Sequence, residues 1–370
     1  MIYYAISEYL RNVRRFASLY EWFIENRNFI LPDEDTPYLI PDVEVGVTPK
    51  VEIYSDNGVK LYRYMPRTEK QYETPLLIVY ALINKPYILD LHPERSVVRK
   101  FLDAGFDVYL IKWGDATIAD QFGLSGYIDI FMYDFIEYLK DYAGVEKISI
   151  LGYCMGGGLS AIYTSLYPEN VKNLLLLAAT LYFDKEVGGL VTLSDKRFFD
   201  PEEIAKVYAY IPAWFMAERF KLLRPLENYF TKYVSMFLNA ENKDFLDLFF
   251  RMEKWIHDGV NVAPYVYVEY VRELYQNNAL CEGKLFINGK KVDPKRIDMP
   301  VAAIVGKRDH LAPPKNTLGF LDYISSKDKA VFEADAGHVG LVVSGKAMKM
   351  WDEVVKWLSK RSGKKVERKI

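Results

Sequence analysis

An α/β architecture with a mostly parallel sheet is the fold class that this sequence predicts. Short apolar runs alternate with helical patterns along the chain, and two of the helical patterns are closed by Gly105 and Gly144. Parallel strands give continuous apolar runs of this kind because helices cover both faces of their sheet. A glycine-rich box directly after the third run indicates a sharp turn from strand to helix. The predicted strands are residues 76–80, 108–111, 147–151, 174–178 and 301–305, and the predicted helices between them are residues 96–104, 127–142 and 156–167.

The chain ahead of the first of these strands predicts a helix and a hairpin. Residues 1–30 have the apolar spacing of an amphipathic helix, and a loop with several prolines follows. Two further runs, residues 51–54 and 59–64, flank the sequence Asp-Asn-Gly at 56–58, which is typical of a tight hairpin turn. We therefore expect residues 1–45 to form an N-terminal helical segment that precedes the sheet.

The regular alternation stops after the fourth strand. Residues 184–299 are rich in helical patterns and in aromatic side chains, among them Tyr208, Trp214 and Phe220. The strand pattern returns at 301–305, and a short strand at 330–332 follows it. Because the sheet pattern resumes beyond this interval, we predict a helical cap inserted into a core made of residues 46–183 and 300–370.

Composition excludes several classes of protein. The chain has 48 Lys and Arg residues against 50 Asp and Glu residues, whereas a nucleic-acid-binding chain normally has a basic excess. Its two cysteines are too few for a disulfide framework, which favours a cytoplasmic location. No apolar run reaches the roughly 18 residues of a membrane span. Charged residues interrupt the first 30 positions, so no secretory signal is expected there.

The C-terminal residues 360–369 are strongly basic. They contain six basic residues and one acidic residue. Such a run at a chain end predicts a solvated, frayed tail. A weak electrostatic contact with an acidic partner is the alternative.

The most informative motif is the glycine-rich box at residues 152–157, which reads Gly-Tyr-Cys-Met-Gly-Gly. It has the form Gly-x-nucleophile-x-Gly and lies between a strand and a helix, the context in which such a box is significant. The glycines permit a strained turn that exposes the side chain of Cys154. The adjacent helix N-terminus favours negative charge and hence a thiolate. An inert buried cysteine in a glycine-rich turn is the alternative interpretation.

Two later residues complete a catalytic set. Asp309 follows the strand at 301–305 within the sequence Gly-Lys-Arg-Asp-His, and His338 lies near the C-terminus within Asp-Ala-Gly-His. Nucleophile, acid and histidine in this chain order are typical of the α/β-hydrolase fold. The sequence therefore predicts a Cys154–Asp309–His338 triad on an α/β-hydrolase fold with an inserted helical cap.

Chemistry explains why these three residue types are needed. A cysteine thiol is mostly protonated at neutral pH, so a base such as His338 must share or remove its proton. Asp309 would fix the imidazole tautomer and stabilise the imidazolium. The oxyanion also needs hydrogen-bond donors. The backbone N–H of Met155 is one candidate, and the second is expected in the loop after the first core strand, near Leu82 or Ile83.

Most of the sequence resembles the catalytic subunit of class III polyhydroxyalkanoate synthases. The most distinctive stretch, residues 77–91, reads Leu-Ile-Val-Tyr-Ala-Leu-Ile-Asn-Lys-Pro-Tyr-Ile-Leu-Asp-Leu, and a cysteine in the nucleophile box is characteristic of these enzymes. The remaining matching stretches are residues 46–50, 96–99, 105–114, 252–255, 275–278, 306–310 and 313–314. Residues 115–123 depart from the family pattern, which bears on the entrance to the site.

The resemblance implies an activity. Such enzymes load the acyl group of (R)-3-hydroxyacyl-CoA onto the cysteine and transfer it to a growing polyester with release of CoA. By motif match Cys154 is similar to the acyl carrier and His338 to its activator. Asp309 is similar to the family aspartate proposed to help activate the 3-hydroxyl group of the incoming unit.

Further site residues follow from the same matches. Leu82, Asn84 and Tyr153 fall in matched stretches and are expected to support substrate binding. His310 belongs to the family's Asp-His pair, and we expect it to orient its loop. No metal and no cofactor besides the CoA-linked substrate are expected, since His92 and His257 lack any metal-ligand cluster.

Partners and location are also implied by the resemblance. It points to a non-catalytic synthase subunit or a homodimer, to short-chain units such as 3-hydroxybutyryl, and to the surface of cytoplasmic polyester granules. The helix at 1–30 is a candidate docking element, with packing on its own chain as the alternative.

Two other functions stay open at this point. An esterase, thioesterase or polyester depolymerase of the same fold would use the same triad, although ester hydrolases of this fold usually have serine where this chain has Cys154. A catalytically silent granule-associated protein is the second alternative, and the intact triad argues against it.

Overall fold

A computed structural model of the protein describes residues 2–25, 29–30, 40–183 and 188–368, and its centre is an eight-stranded sheet. Its strands are β1 Lys50–Asp56, β2 Val59–Tyr64, β3 Leu76–Val79, β4 Val108–Lys112, β5 Ile148–Tyr153, β6 Val171–Leu177, β7 Val301–Gly306 and β8 Lys329–Ala334. The order across the sheet is β8-β7-β6-β5-β3-β4-β2-β1. The six strands from β3 to β8 are parallel, which confirms the predicted fold class.

The predicted hairpin forms the antiparallel edge of this sheet. β1 and β2 are joined by Asn57 and Gly58, whose φ angles are 45° and 80°. A two-residue turn with positive φ at both positions matches the twist of the strands it joins, and Asn-Gly tolerates this conformation best. β2 then pairs with β4 in the antiparallel direction, so the hairpin extends the sheet.

The helices flanking the sheet begin and end close to the predicted positions. Ser96 caps the first core helix by accepting a hydrogen bond from the Arg99 N–H (3.0 Å), and Gly105 ends it in the left-handed conformation. The segment Gly126–Met132 is π-helical and continues into the next α-helix, which Gly144 ends. The helices outside the cap are α1 Ile2–Glu25, α2 Val97–Ala104, α3 Tyr133–Ala143 and α4 Met155–Leu166, with α11 Pro314–Leu318, α12 Gly340–Val343 and α13 Gly345–Ser359 near the C-terminus.

The strand order reverses once, between β3 and β5. The connection from β3 to β4 through α2 runs towards the hairpin edge, and the connection through α3 crosses back over β3 to β5. Because parallel crossovers are right-handed, α2 and α3 cover opposite faces of the sheet. The carboxyl ends of β3 and β5 are neighbours, with Val79 opposite Gly152. Open α/β sheets bind their ligands at a reversal of this kind.

A largely helical region connects β6 to β7 in the chain. β6 and β7 are nevertheless neighbours in the sheet, with Leu174 opposite Val301, so the region leaves the sheet uninterrupted. The predicted first limit of the cap, residue 184, lies outside the described residues, and the limits of the cap stay a prediction. The region comprises α5 Gly188–Leu193, α6 Pro201–Val207, α7 Ala213–Lys221, α8 Lys232–Leu238, α9 Lys243–His257 and α10 Pro264–Glu269, π-helical segments Glu227–Thr231 and Tyr270–Gln276, and a short hairpin of Phe286–Ile287 with Lys290–Lys291.

The prediction of a helix over residues 1–30 is wrong for the last two of these residues. Helix α1 ends at Glu25, and Phe29–Ile30 pairs with Ile40–Pro41 as a small antiparallel ladder. The second half of α1 packs on the cap, where the Trp22 ring stacks on Phe250 of α9 at 4.4 Å between centroids. Side chains of its first half stay exposed, among them Tyr9 and Leu10.

The predicted frayed tail is also wrong as far as residue 368. Residues Lys365–Val366 pair with Gln71–Tyr72, and Arg361 forms two hydrogen bonds of 2.9 Å with the Asp328 carboxylate. Arg368 donates to the Ala143 carbonyl oxygen at 2.7 Å. Arg361 and Arg368, two of the basic residues that predicted a solvated end, instead find acceptors in other segments of the chain, a pairing that sequence spacing cannot reveal.

Over the portion of the chain that the structure describes, no helix combines the length and the apolar character that crossing a bilayer requires.

Candidate active site

Cys154 occupies a strained elbow between β5 and α4. Its φ and ψ angles are 55° and −122°, a conformation that side chains with a Cβ rarely adopt. The turn closes because its glycines lack side chains: a Cβ at Gly152 would lie 2.6 Å from the Gly157 Cα, and one at Gly156 would overlap the Val79 and Tyr80 carbonyl oxygens. The predicted box therefore forms the strand–turn–helix geometry that such a motif requires.

Asp309 and His338 come together beside this elbow. The Nδ1 atom of His338 lies 2.7 Å from Oδ2 of Asp309, and both side chains are buried. The other carboxylate oxygen of Asp309 accepts hydrogen bonds from the N–H groups of Leu311 (2.9 Å) and Ala312 (2.8 Å). With both oxygens engaged, Asp309 is held in one orientation and fixes that of the imidazole.

The three predicted triad residues influence one another electrostatically. Burial alone would lower the pKa of His338, but the charges of Asp309 and Cys154 and the hydrogen bonds to both raise that pKa to about 10. The arrangement thus favours the imidazolium form of His338 beside the Asp309 carboxylate. The Cys154 thiol and the His338 ring are within reach for proton transfer.

Tyr153 packs against His338 and helps to hold it in place. Its ring stacks on the His338 ring with centroids 5.1 Å apart, and its hydroxyl donates to the His338 carbonyl oxygen at 3.3 Å. Burial raises the pKa of Tyr153 well above its usual range, so the phenol stays neutral. The residue therefore contributes to the position of His338.

The predicted oxyanion donors, Met155 and Ile83, belong to segments that line the cavities at Cys154. Met155 is the first residue of α4, where backbone N–H groups have no partner within the helix. Ile83 lies in the loop after β3 and borders both of the cavities that reach Cys154. The neighbouring Asn84 has a φ of 62°, a left-handed conformation that asparagine tolerates better than most residues.

Two cavities meet at Cys154. The larger, about 370 Å³, extends on the His338 side between core and cap, and the smaller, about 60 Å³, extends on the Met155 side. Most of the lining is apolar or aromatic, which is typical of a site that binds an apolar ligand. The cap contributes Ala217, Phe220, Met252, Trp255 and Ile256 to the larger cavity and Met216, Phe220, Tyr267, Tyr270 and Tyr275 to the smaller one.

The supporting residues predicted from sequence have different positions. Asn84, Tyr153 and His310 line the larger cavity. Leu82 does not line either of the two cavities; it is 3% exposed and packs in the core, and its role in supporting substrate binding stays a prediction. Of these two neighbouring residues, Ile83 borders both cavities and Leu82 borders neither.

Cap residues that the sequence did not indicate as site residues also border the site. Tyr270 is fully buried, its hydroxyl lies 3.0 Å from the Thr180 Oγ1, and it donates to the Met155 carbonyl oxygen at 3.4 Å. Trp255 donates from its indole to the Lys85 carbonyl oxygen at 2.9 Å. The only available signal for Trp255 was the family match at residues 252–255, which carries no information about contacts.

The divergent segment at residues 115–123 contacts the cap and lines neither cavity. Asp115 accepts a hydrogen bond from the Asn261 N–H at 2.7 Å, and the Phe122 carbonyl oxygen accepts one from the Val266 N–H at 3.1 Å. Elsewhere in the described ranges, no cluster of three or more His, Cys, Asp and Glu side chains is placed to hold a metal ion.

Family models match both the core and the N-terminal part of the chain. Residues 74–344 match the model of the alpha/beta hydrolase fold. Residues 34–101 match the model of the N-terminus of poly-beta-hydroxybutyrate polymerase, PhaC.

Similar proteins with curated names point in the same direction. The chain is 42% identical over 330 residues to the poly(3-hydroxyalkanoate) polymerase subunit PhaC of Haloferax mediterranei, covering 89% of this chain and 67% of that protein. It is 35% identical to the protein of the same name from Thiocystis violacea, covering 86% of this chain and 90% of that one.

Among solved structures, a thermophilic esterase from Thermogutta terrifontis has a TM-score of 0.50 and 16% sequence identity to this chain. The match covers 85% of this chain and 99% of the esterase. At this level of identity the likeness concerns the fold alone.

Proposed function

This chain belongs to the poly(3-hydroxyalkanoate) polymerase family, and we propose that it polymerises (R)-3-hydroxyacyl-CoA into polyhydroxyalkanoate with release of CoA. The family membership confirms the resemblance noted in the sequence and makes the chain an acyltransferase. The observation that carries the proposal is a cysteine in the nucleophile position, beside a buried histidine–aspartate pair, where two largely apolar cavities meet.

In the first step, the Cys154 sulfur attacks the thioester carbonyl of the substrate. His338 holds the thiol proton, and Asp309 stabilises the resulting imidazolium. The backbone N–H groups of Met155 and Ile83 would stabilise the oxyanion. When the carbon–sulfur bond to CoA breaks, the CoA sulfur takes the proton from His338 and leaves as the thiol, and the acyl group stays on Cys154.

In the second step, a 3-hydroxyl group attacks the Cys154 thioester. His338 accepts the hydroxyl proton, an ester bond forms, the carbon–sulfur bond breaks, and the proton returns to the Cys154 sulfur. Asp309 is buried with both carboxylate oxygens engaged, so we assign it to hydroxyl activation through His338 and not by direct contact. These two reaction steps need no cofactor and no metal ion.

Water exclusion favours transfer over hydrolysis. The acyl-enzyme would be lost if water reached it as readily as a hydroxyl group. The cap places aromatic and apolar side chains over Cys154, and the larger cavity is mostly apolar. The small volume on the Met155 side supports short acyl units, of which 3-hydroxybutyryl is the proposed one.

The remaining expectations are part of the same proposal. We propose that a non-catalytic synthase subunit or a second copy of the chain is the partner. The relatives are named as polymerase subunits, and α1 carries exposed apolar side chains. The proposed location is the surface of cytoplasmic polyester granules, where the apolar product accumulates.

The test measures CoA release from (R)-3-hydroxybutyryl-CoA together with the mass of the acyl product and of the protein. We expect an acyl adduct on Cys154 and a high-mass polyester, with both abolished in Cys154→Ala. Cys154→Ser is the matched variant, and it should lose polymerisation because serine is a poorer leaving group in the transfer step. CoA release with only free hydroxyacid would identify a thioesterase, and the absence of any acyl adduct on the intact chain would contradict the proposal.

A further inference from the structure

Residues of the cap contact the C-terminal end of the loop that follows β3. This loop, residues 80–87, is called the oxyanion loop below because it contains Ile83. Lys85 forms an ion pair with Asp258, which directly follows α9. The Tyr87 hydroxyl donates to the same carboxylate at 3.0 Å. The Trp255 indole donates to the Lys85 carbonyl oxygen at 2.9 Å, so three contacts join one helix end to one short loop.

The two ends of the oxyanion loop are anchored to different parts of the molecule. At its start, the Trp113 indole of the core donates to the Tyr80 carbonyl oxygen at 2.8 Å. At its end, the contacts with Trp255 and Asp258 come from the cap. Ile83 lies between these anchors, and Asn84 beside it is in the left-handed conformation. The position of the Ile83 N–H therefore depends on both core and cap.

The triad does not share this dependence. Cys154 follows β5, Asp309 follows β7, and the carboxylate of Asp309 is held by N–H groups of its own loop. His338 is held by Asp309 and Tyr153, which also belong to the core. A change at the end of α9 can thus displace the oxyanion loop and leave the thiol and its base in place.

We propose that Trp255 and Asp258 are positioning residues which hold the oxyanion loop so that its Ile83 N–H points to the reacting carbonyl oxygen. The inference rests on the proposed function, since it concerns acyl transfer to Cys154. It makes the cap part of the catalytic geometry: any movement that lifts α9 from the oxyanion loop also takes the oxyanion donor out of place.

The proposal separates two reactions of the same sulfur. Acylation by a thioester passes through an oxyanion and needs the donor, whereas alkylation by iodoacetamide displaces iodide at a saturated carbon and needs none. Loss of a complete oxyanion donor lowers rates by about 10²–10³. We expect loss of its anchor to lower acylation by roughly tenfold to a hundredfold, because the loop stays tethered at Trp113.

The experiment uses the full chain and four proteins: wild type, Asp258→Ala, Trp255→Phe and Asp352→Ala. The last is the matched control, since it breaks an exposed ion pair with Lys100 far from the site. Single-turnover acylation of Cys154 by (R)-3-hydroxybutyryl-CoA and alkylation of Cys154 by iodoacetamide are both followed by peptide mass, which separates Cys154 from Cys281. Trp255→Phe keeps an aromatic side chain but removes the N–H donor together with part of the indole, so it tests the contact even if Asp258→Ala folds poorly.

The expected result is slower acylation in Asp258→Ala and Trp255→Phe with unchanged alkylation, and no change of either rate in Asp352→Ala. Acylation at the wild-type rate in both cap variants would overturn the proposal. A parallel fall of acylation and alkylation would overturn it as well, because it would mean a disturbed triad or fold. If wild type itself is alkylated but never acylated, the proposed function fails, and this outcome is distinct from the other two.

Discussion

The core and the cap of this protein differ in how completely they bury their apolar side chains. The strands β3, β5 and β7 are buried along their whole length, and Trp351 of α13, which packs on α2 and β8, is fully buried as well. The cap, by contrast, exposes Phe198 (83%), Leu226 (75%) and Phe230 (69%) to solvent. A region with this much exposed apolar surface gains less from its own packing.

The difference teaches where chemistry and selectivity reside. The three triad side chains are all on loops at the carboxyl ends of core strands, where a rigid sheet holds them. The cap holds no triad residue, yet it supplies much of the wall of both cavities. We therefore expect core substitutions at the site to abolish catalysis, and cap substitutions to tune it.

The largest effect is expected at Asp309. Asp309→Asn keeps the size of the side chain but removes the charge that stabilises the His338 imidazolium, so CoA release should fall by about 10³-fold or more. The measurement is the initial rate of CoA release from (R)-3-hydroxybutyryl-CoA. The cap residue chosen for comparison is Met252 of α9, which lines the larger cavity. Met252→Leu should change the rate of CoA release by less than about tenfold. Equal losses in the two variants would break the distinction between core and cap.

A second prediction compares how much two tryptophans, one in the core and one in the cap, contribute to the free energy of unfolding. Trp351 of α13 is fully buried against α2 and donates to the Leu341 carbonyl oxygen at 2.8 Å, whereas Trp214 of α7 is 59% exposed. Trp351→Ala should lower the free energy of unfolding by about 3–5 kcal/mol, because it leaves a cavity in the core. Trp214→Ala should cost less than about 1 kcal/mol. Urea unfolding followed by circular dichroism measures both, and a similar cost for the two would contradict the comparison.

A smaller effect is expected from pH on the free energy of unfolding, and it arises from His338 in the core. The pKa of His338 is raised to about 10 by its anionic neighbours, against an ordinary value of 6.5. The imidazolium therefore stabilises the folded state fully below pH 6.5, and this contribution is lost as the pH rises through about 10. The difference in unfolding free energy between wild type and His338→Gln should shrink over that window.

The matched control for the pH experiment is His92→Gln. Burial and Arg251 lower the pKa of His92, so its effect on stability falls on the acidic side of its ordinary value. Between pH 6.5 and 10, the difference between wild type and this variant should stay constant. A His338 difference that grows with pH would mean that the ring is not held as an imidazolium.

Most elements of the core could be predicted from the sequence because their signals are local. A run such as residues 301–305 is apolar throughout, and Gly105 and Gly144 end helices by adopting the left-handed conformation that follows a helix. The triad candidates could be named because the cysteine box is local and the chain order of the other two follows the fold. The assignment of Met155 and Ile83 as oxyanion donors stays a prediction.

Other features could not be predicted because they depend on contacts between distant parts of the chain. The tail is ordered by Asp328 and Ala143, and neither acceptor is indicated by the basic run itself. Leu82 and Ile83 are adjacent apolar residues, and only the path of the loop decides which one borders the site.

The sequence by itself determined the class of fold, the candidate nucleophile Cys154 and the family, since each is indicated by short stretches of residues. Tertiary structure alone decided the partners of those residues. The 2.7 Å contact of His338 with Asp309, the Trp255 and Asp258 contacts with the oxyanion loop, and the two cavities at Cys154 each join segments far apart in the chain. Local patterns report how a segment folds, whereas such contacts exist only once the sheet has brought the ends of its strands together.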